Sequence, residues 1–135
     1  MKLAVPKERR ADEARVAVSP ETVRKLIGLG LSVTVEAGAG ADSAMTDEAY
    51  AAAGATIAPD EAAALGDADI VLKVQRPLTK EEGGPDETAL MKSGAALIGL
   101  LAPYAAKAQA QDYARRNLQT FAMELVPRIT RAQTM

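Results

Sequence analysis

The sequence predicts an α/β domain built on an open, mainly parallel sheet with helices on both faces. Three observations carry that expectation. Short apolar runs of strand length alternate with segments that have helical spacing or helix-capping residues. Gly and Pro fall between these segments, where the chain must turn. The run Asp69-Ile-Val-Leu-Lys-Val74 is apolar almost throughout, as a central parallel strand covered on both faces would be. With 135 residues, 48% of them apolar and 25% charged, the chain has material for a single core.

The elements follow in order. Lys2 to Pro6 is a first strand, and a charged loop comes after it. Ser19 suits the cap of a helix that begins at Pro20, with Val23, Leu26 and Ile27 on one apolar face. Gly28 and Gly30 end that helix, and Leu31 to Ala37, containing Val33 and Val35, is a second strand. These glycines follow a helix and precede a strand, the reverse of a dinucleotide-binding loop, so no phosphate loop is assigned to them. Thr46 caps a helix through Ala53, Gly54 stops it, Thr56 to Ala58 is a strand, and Pro59 to Leu65 is helical. After the strand Asp69 to Val74 come a polar loop from Lys80 to Asp86 and a short helix from Glu87 to Lys92. Ala95 to Leu101 is the fifth strand, Pro103 to Asn117 the longest helix, and Gln119 to Leu125 the last strand. Strands separated by helices imply right-handed crossovers and a three-layer domain of flavodoxin-like or Rossmann-like type.

Composition removes several kinds of chemistry. There is no Cys and no His, which excludes disulfides, thiol nucleophiles, imidazole bases and the usual zinc ligands, and no metal site is expected. One Phe, three Tyr and a net charge of -2 leave neither the stacking surface nor the positive field that nucleic acid requires. The core must be aliphatic, with Met45, Met91 and Met123 as filler. No stretch approaches a membrane span, and the opening is too short for a signal peptide, so a soluble, intracellular chain without direct membrane insertion is expected.

Charge is unevenly placed. No Lys or Arg lies between Leu26 and Leu72, and the basic residues gather at 7–15, 73–80 and 115–131. In an open parallel sheet, ligands bind beyond the carboxyl ends of the strands. Lys7, Arg9, Arg10 and Arg15 follow the first strand, Lys73 and Arg76 end the fourth, and Arg128 and Arg131 follow the last, so their convergence would make an anion-binding edge. Taken singly, Arg9, Arg10, Lys80 and Arg131 read as solvated loop residues. Lys73 differs, because an unpaired ammonium inside an apolar run is costly; it needs either a carboxylate partner or an anionic ligand. Glu8, Asp12 and Glu13 are partners for the first loop, and Glu124, in the last strand, is a candidate partner for Lys73 or an Arg. No residue is assigned a catalytic role.

Lys2-Leu-Ala-Val-Pro-Lys-Glu-Arg9 and Glu13-Ala-Arg-Val-Ala-Val-Ser-Pro20 closely resemble the opening of the alanine dehydrogenase and pyridine-nucleotide transhydrogenase family. Val35 to Gly40, Ala52 to Ala55, Asp67 to Pro77 and Ala122 to Gln133 resemble further blocks of that family, in order and spacing, so the resemblance covers essentially the whole chain. It implies that Arg15 and Lys73 match the residues with which alanine dehydrogenases hold the carboxylate and carbonyl of pyruvate. Those enzymes also carry a His after the fifth strand, where this chain has Ala102. That departure, with Lys73 to Pro77 and Glu124 to Gln133, favours the transhydrogenase branch, in which the Arg15 and Lys73 pocket is vestigial and serves as a structural ion network.

The same resemblance implies binding of NAD mainly by a second, Rossmann-type domain, with Arg128 and Gln133 beside the nicotinamide. Hydride would pass between NADH and NADP held by a partner subunit or domain, coupled to proton translocation. The implied partners are membrane-embedded and NADP-binding subunits, and the implied location is the cytoplasmic side of the inner membrane, as a peripheral domain. Residues 1–126 would be the N-terminal α/β domain and 127–135 the start of a connection to the NAD-binding domain, leaving the 135-residue chain inactive alone. In this family a helix returning from beyond the dinucleotide domain completes the first domain. The chain is therefore expected to expose an apolar face and to associate, as a homodimer. Two alternatives remain: a fragment of an alanine dehydrogenase-like amino-acid dehydrogenase, and a non-catalytic dimerising α/β module.

Overall fold

The computed structural model describes residues 1–126. Its strands are β1 (Lys2–Val5), β2 (Ser32–Glu36), β3 (Thr56–Ala58), β4 (Ile70–Gln75), β5 (Ala96–Leu100) and β6 (Gln119–Ala122). The helices between them are α1 (Pro20–Gly28), α2 (Asp47–Ala52), α3 (Glu61–Leu65) and α4 (Lys107–Arg115). All strand pairings are parallel, in the order β3-β2-β1-β4-β5-β6. The chain builds outward from β1 through β2 to β3, then crosses back to lay β4 on the other side of β1. That reversal creates a switch point at the carboxyl ends of β1 and β4, where open sheets of this type hold their ligands.

Alternation along the strands divides the core. Leu3, Val5, Val33 and Val35 pack on one face with Val23 of α1 and Tyr50 of α2, while Ala4, Val71 and Leu97 pack on the other with Leu65 of α3 and Tyr113 of α4. Tyr50 is fully buried and donates its hydroxyl hydrogen to the Val18 carbonyl at 2.7 Å, so the one polar atom it takes into the core is satisfied. The core is aliphatic apart from such tyrosines, as composition requires.

Local signals place most boundaries. The Ser19 hydroxyl accepts from the Thr22 N–H, Pro20 opens α1, and Gly30 takes a φ of 95° in the turn that follows. Thr46 and Asp60 cap α2 and α3 in the same way, through the N–H groups of Ala49 and Ala63. The helix expected from Pro59 therefore begins at Glu61, because Asp60 is its cap.

The largest differences lie near the carboxyl end. The helix expected over Pro103 to Asn117 is confined to Lys107–Arg115, because Ala102 adopts a φ of 49° and the chain makes a separate turn, with the Ala106 N–H donating to the Ala102 carbonyl. The last strand stops at Ala122, and Met123–Leu125 forms a 3-10 turn. Glu87–Leu90 and Lys80–Glu82 are also 3-10 turns, shorter than the helix and more regular than the loop that the sequence predicts.

One sheet face is incompletely covered. Ile70, Leu72 and Val74 of β4 are only half-buried, while Leu100, Phe121, Met123, Leu125 and Val126 are exposed. The expectation that β4 is covered on both faces is thus met on the Val71 and Lys73 side alone, and Met123 is not core filler. Among the described residues, no helix is long and apolar enough to cross a membrane.

Candidate functional site

The basic residues after β1 and β4 do converge at the carboxyl edge, but carboxylates converge with them. Pro6 ends β1, having no N–H to continue the ladder, and the chain turns so that Glu8 takes over the pairing. Its carboxylate accepts from the N–H groups of Val74 and Gln75 at 3.0 and 3.1 Å, standing where a further turn of β1 backbone would otherwise lie against β4. Lys73 is drawn into the same cluster. Strand alternation puts its side chain with Val71, opposite Leu72 and Val74, and its ammonium lies 3.4 Å from Glu8 and 3.5 Å from Glu87. All three side chains are at most 2% exposed. Glu87 is held in turn by the Leu78 N–H at 2.6 Å.

Close approach of β4 and β5 helps to fix this geometry. A Cβ at Gly99 would lie 2.7 Å from the Lys73 carbonyl oxygen, so only glycine lets β5 pass there, beside the irregular register between Leu72 and Gln75. Lys73 therefore sits on a backbone pinned from two sides, by Glu8 and by Gly99.

Arg9 extends the network. It pairs with Glu36 through both terminal nitrogens and reaches Glu61 at 2.9 Å. Glu36 also accepts from the Lys7 N–H at 2.9 Å. The expectation that Arg9 and Arg10 are solvated is corrected: Arg9 is embedded among glutamates, and Arg10 pairs with Glu82 while donating to the Arg76 and Pro77 carbonyls. Sequence reasoning missed Glu36, Glu61 and Glu87 as partners. For Glu36 and Glu61 the available signal was the absence of any cation between Leu26 and Leu72, which leaves those acids to pair elsewhere in the chain; Glu87 carried no such signal.

Four carboxylates, those of Glu8, Glu36, Glu61 and Glu87, thus face the two cations Arg9 and Lys73. The excess is relieved at Glu61. Burial pushes its carboxyl up to about 8, the neighbouring Glu87 adds to the rise, and Arg9 opposes it. One oxygen of Glu61 is buried without a hydrogen-bond partner, consistent with a carboxyl that keeps its proton. The folded chain holds this proton from its ordinary value of 4.5 up to about 8, whereas the unfolded chain releases it, so stability is highest at the acid end of that window and falls as pH rises through it. Glu61→Gln, which cannot titrate, is expected to remove this downward slope from urea midpoints measured across the same window. An undiminished slope would place the titration elsewhere.

Arg15 and Lys73 both border an open groove of about 560 Å³, whose other walls include Val16, Ala17, Met45, Leu72, Ile98 and Met123. Their charged ends are engaged separately. The Arg15 side chain is 65% exposed, and its guanidinium forks onto Glu13, with contacts of 2.9 and 2.7 Å. That pairing, helped by the Gln75 amide, lowers the Glu13 carboxyl to about 2. The structure places Arg15 at the groove's mouth and the Lys73 ammonium in the buried network.

Among the described residues, Glu124 reaches neither Lys73 nor an Arg. It lies on the turn after β6, where its carboxylate accepts from the Leu101 and Ala102 N–H groups at 3.0 and 2.6 Å. Burial would raise this carboxyl, but the backbone hydrogen bonds outweigh it and hold the group below its ordinary value. The clamp fastens the chain to the carboxyl end of β5 just before residue 127. Arg128, Arg131 and Gln133 lie outside the described residues.

Comparison with known proteins gives this arrangement its relatives. Residues 4–135 match the family model described as alanine dehydrogenase/PNT, N-terminal domain. An NAD(P) transhydrogenase subunit alpha protein of Rhodospirillum rubrum is 54% identical over 135 residues, all of this chain and 35% of that protein. A transhydrogenase structure from Sinorhizobium meliloti superposes with a TM-score of 0.91 at 42% identity, covering 100% of this chain and 38% of that one. An L-alanine dehydrogenase structure gives 0.85 at 32% identity, over 98% of this chain and 34% of that one. The chain spans about a third of the length of these relatives. A single parallel sheet switching direction at β1, an ion network at that switch point, and a family match from residue 4 to residue 135 agree: the chain belongs to the alanine dehydrogenase/PNT N-terminal domain family.

Proposed function

We propose that this chain is the N-terminal domain of an NAD(P) transhydrogenase α subunit, whose parent protein transfers hydride between NADH and NADP and couples that transfer to proton translocation. The observation that carries this reading is the 54% identity, across the whole chain, to a transhydrogenase α subunit. The site agrees with it. A dehydrogenase acting on a 2-oxo acid needs a free cation for the substrate and a proton carrier. Here the Lys73 ammonium is committed to Glu8 and Glu87, and Ala102 stands where the resemblance implies a His. Arg15 and Lys73 then act as parts of a structural network rather than as a substrate pocket.

On this reading NAD is held mainly by residues beyond this chain, and Arg128 and Gln133 contribute at the nicotinamide. An Arg fork and an amide suit that task, because both can fix the carboxamide and ring by hydrogen bonds, while the cofactor supplies the hydride chemistry. Glu124 supports the role by anchoring the segment that leads to Arg128. The NADP-binding and membrane-embedded partners, and the cytoplasmic face of an inner membrane, follow from the same reading. So does association through the exposed apolar residues around Leu100, Phe121 and Leu125.

Calorimetric titration of NADH into this chain, and into the chain extended through the following domain, tests the division of labour. Binding by the extended protein alone is expected. Equally tight binding by the 135 residues alone would reverse it.

A further inference from the structure

A second cluster lies apart from the groove beside Arg15. Six hydrogen bonds converge on the Glu82 carboxylate. Arg10 contributes two, at 2.7 and 3.2 Å, and Arg76 two, at 2.8 and 3.0 Å. Thr79 adds its backbone N–H at 3.2 Å and its hydroxyl at 3.1 Å. A carboxylate offers two oxygens and about four lone-pair directions, so this site supplies more donors than Glu82 can use. It also sets two guanidinium charges against one.

Arg10 does not depend on Glu82 alone for its position. Arg10 is held by the carbonyls of Arg76 at 3.0 Å and Pro77 at 3.1 Å. Glu82, by contrast, ends a short 3-10 turn directly before Gly83, whose φ is 80°. Glu82 lines two clefts, of about 360 and about 520 Å³. Arg10 borders the first, and Arg76 and Lys80 border the second, where Arg115 and Arg116 are already paired with Asp112 and Asp86. The Tyr113 hydroxyl, close enough to respond to the charges of Arg76 and Arg10, is buried without a hydrogen-bond partner.

We propose that Arg10, Arg76 and Thr79 form a phosphate receptor, in which Glu82 is the resident occupant and gives way when a phosphate group arrives. A phosphate monoester carries close to two negative charges and three acceptor oxygens, matching both the charge and the donor count that Glu82 leaves in excess. The Gly83 backbone provides the turn by which the Glu82 carboxylate leaves.

The test is titration of inorganic phosphate and of glycerol 3-phosphate into the chain and into Glu82→Gln at constant ionic strength, followed by amide and Arg side-chain NMR shifts. Saturable shifts at Arg10, Arg76 and Thr79 are expected, with affinity raised about tenfold in Glu82→Gln and lost when Arg76→Lys is added, since Lys cannot fork. The tighter of the two probes tells a free phosphate from an organic ester. A folded Glu82→Gln that binds phosphate no better than the parent chain would overturn the proposal, leaving Glu82 as a structural clasp. So would shifts that chloride or acetate reproduce. Should Glu82→Gln fail to fold, Arg76→Lys alone decides: undiminished phosphate shifts would refute the receptor, and their loss would support it.

Discussion

Replacing Lys73 with Met is expected to lower the free energy of unfolding by about 3–5 kcal/mol at neutral pH. Met keeps the length and apolar stem of Lys, so packing among Val71, Leu97 and their neighbours changes little. What disappears is the ammonium between Glu8 and Glu87, which leaves two carboxylates in a space where none of the three side chains is more than 2% exposed. Glu8 cannot easily move away, because it also accepts the N–H groups of Val74 and Gln75. The cost is therefore that of an uncompensated buried charge, and it should shrink when Glu87→Gln accompanies the change, because breaking half of a buried pair costs more than replacing all of it. Urea denaturation of the three proteins measures this. A loss below about 1 kcal/mol for the single variant would show that the ammonium contributes no more than an exposed ion pair does.

On the proposed reading, Arg128→Ala, made in a chain extended through a following nucleotide-binding domain, is expected to slow hydride transfer about a hundredfold, the scale on which small misplacements of reacting groups act. NADH affinity should change far less, because most of the binding surface lies elsewhere on the proposed reading. Arg128→Lys keeps the charge but not the planar fork and should restore only part of the rate. Gln133→Ala should act in the same direction. Transient kinetics of hydride transfer, set beside equilibrium NADH binding, separates the two effects. Unchanged transfer in Arg128→Ala would remove that residue from the nicotinamide site.

The sheet was legible in the sequence because its signals are local. Ser19-Pro20, Thr46 and the run Ile70 to Val74 each declare their element within a few residues, and the structure has a cap or strand at each. The helix after β5 was misjudged for the opposite reason. Pro103 stands at the start of a segment rich in Ala, Lys and Gln with good helical propensity, but Ala102 takes a left-handed turn and its N–H is held by Glu124, on the turn after β6 and 22 residues away in sequence. The site was half legible. That Lys73 needed a partner followed from an ammonium within an apolar run. Which carboxylates would supply it did not, because Glu61 and Glu87 look like ordinary acids at the starts of helical turns, and Glu36 looks like a strand ending in solvent. Only the strand order brings Arg9 to the first and third of these and Lys73 to the second.

That strand order also sets a timetable for synthesis. β1 is made before the other strands of this sheet and is one of its two central strands, yet its partner on one side, Ile70 and Val71, is made about 67 residues later. Until then one edge of Leu3 and Ala4 stands open beside a growing β2 and β3, a template that other nascent chains could join. Pro6 keeps that open edge short, and the loop that follows it carries charged residues of both signs, which interrupt such pairing. Residues that later fasten the carboxyl edge thus guard the amino-terminal strand while it waits for its neighbour.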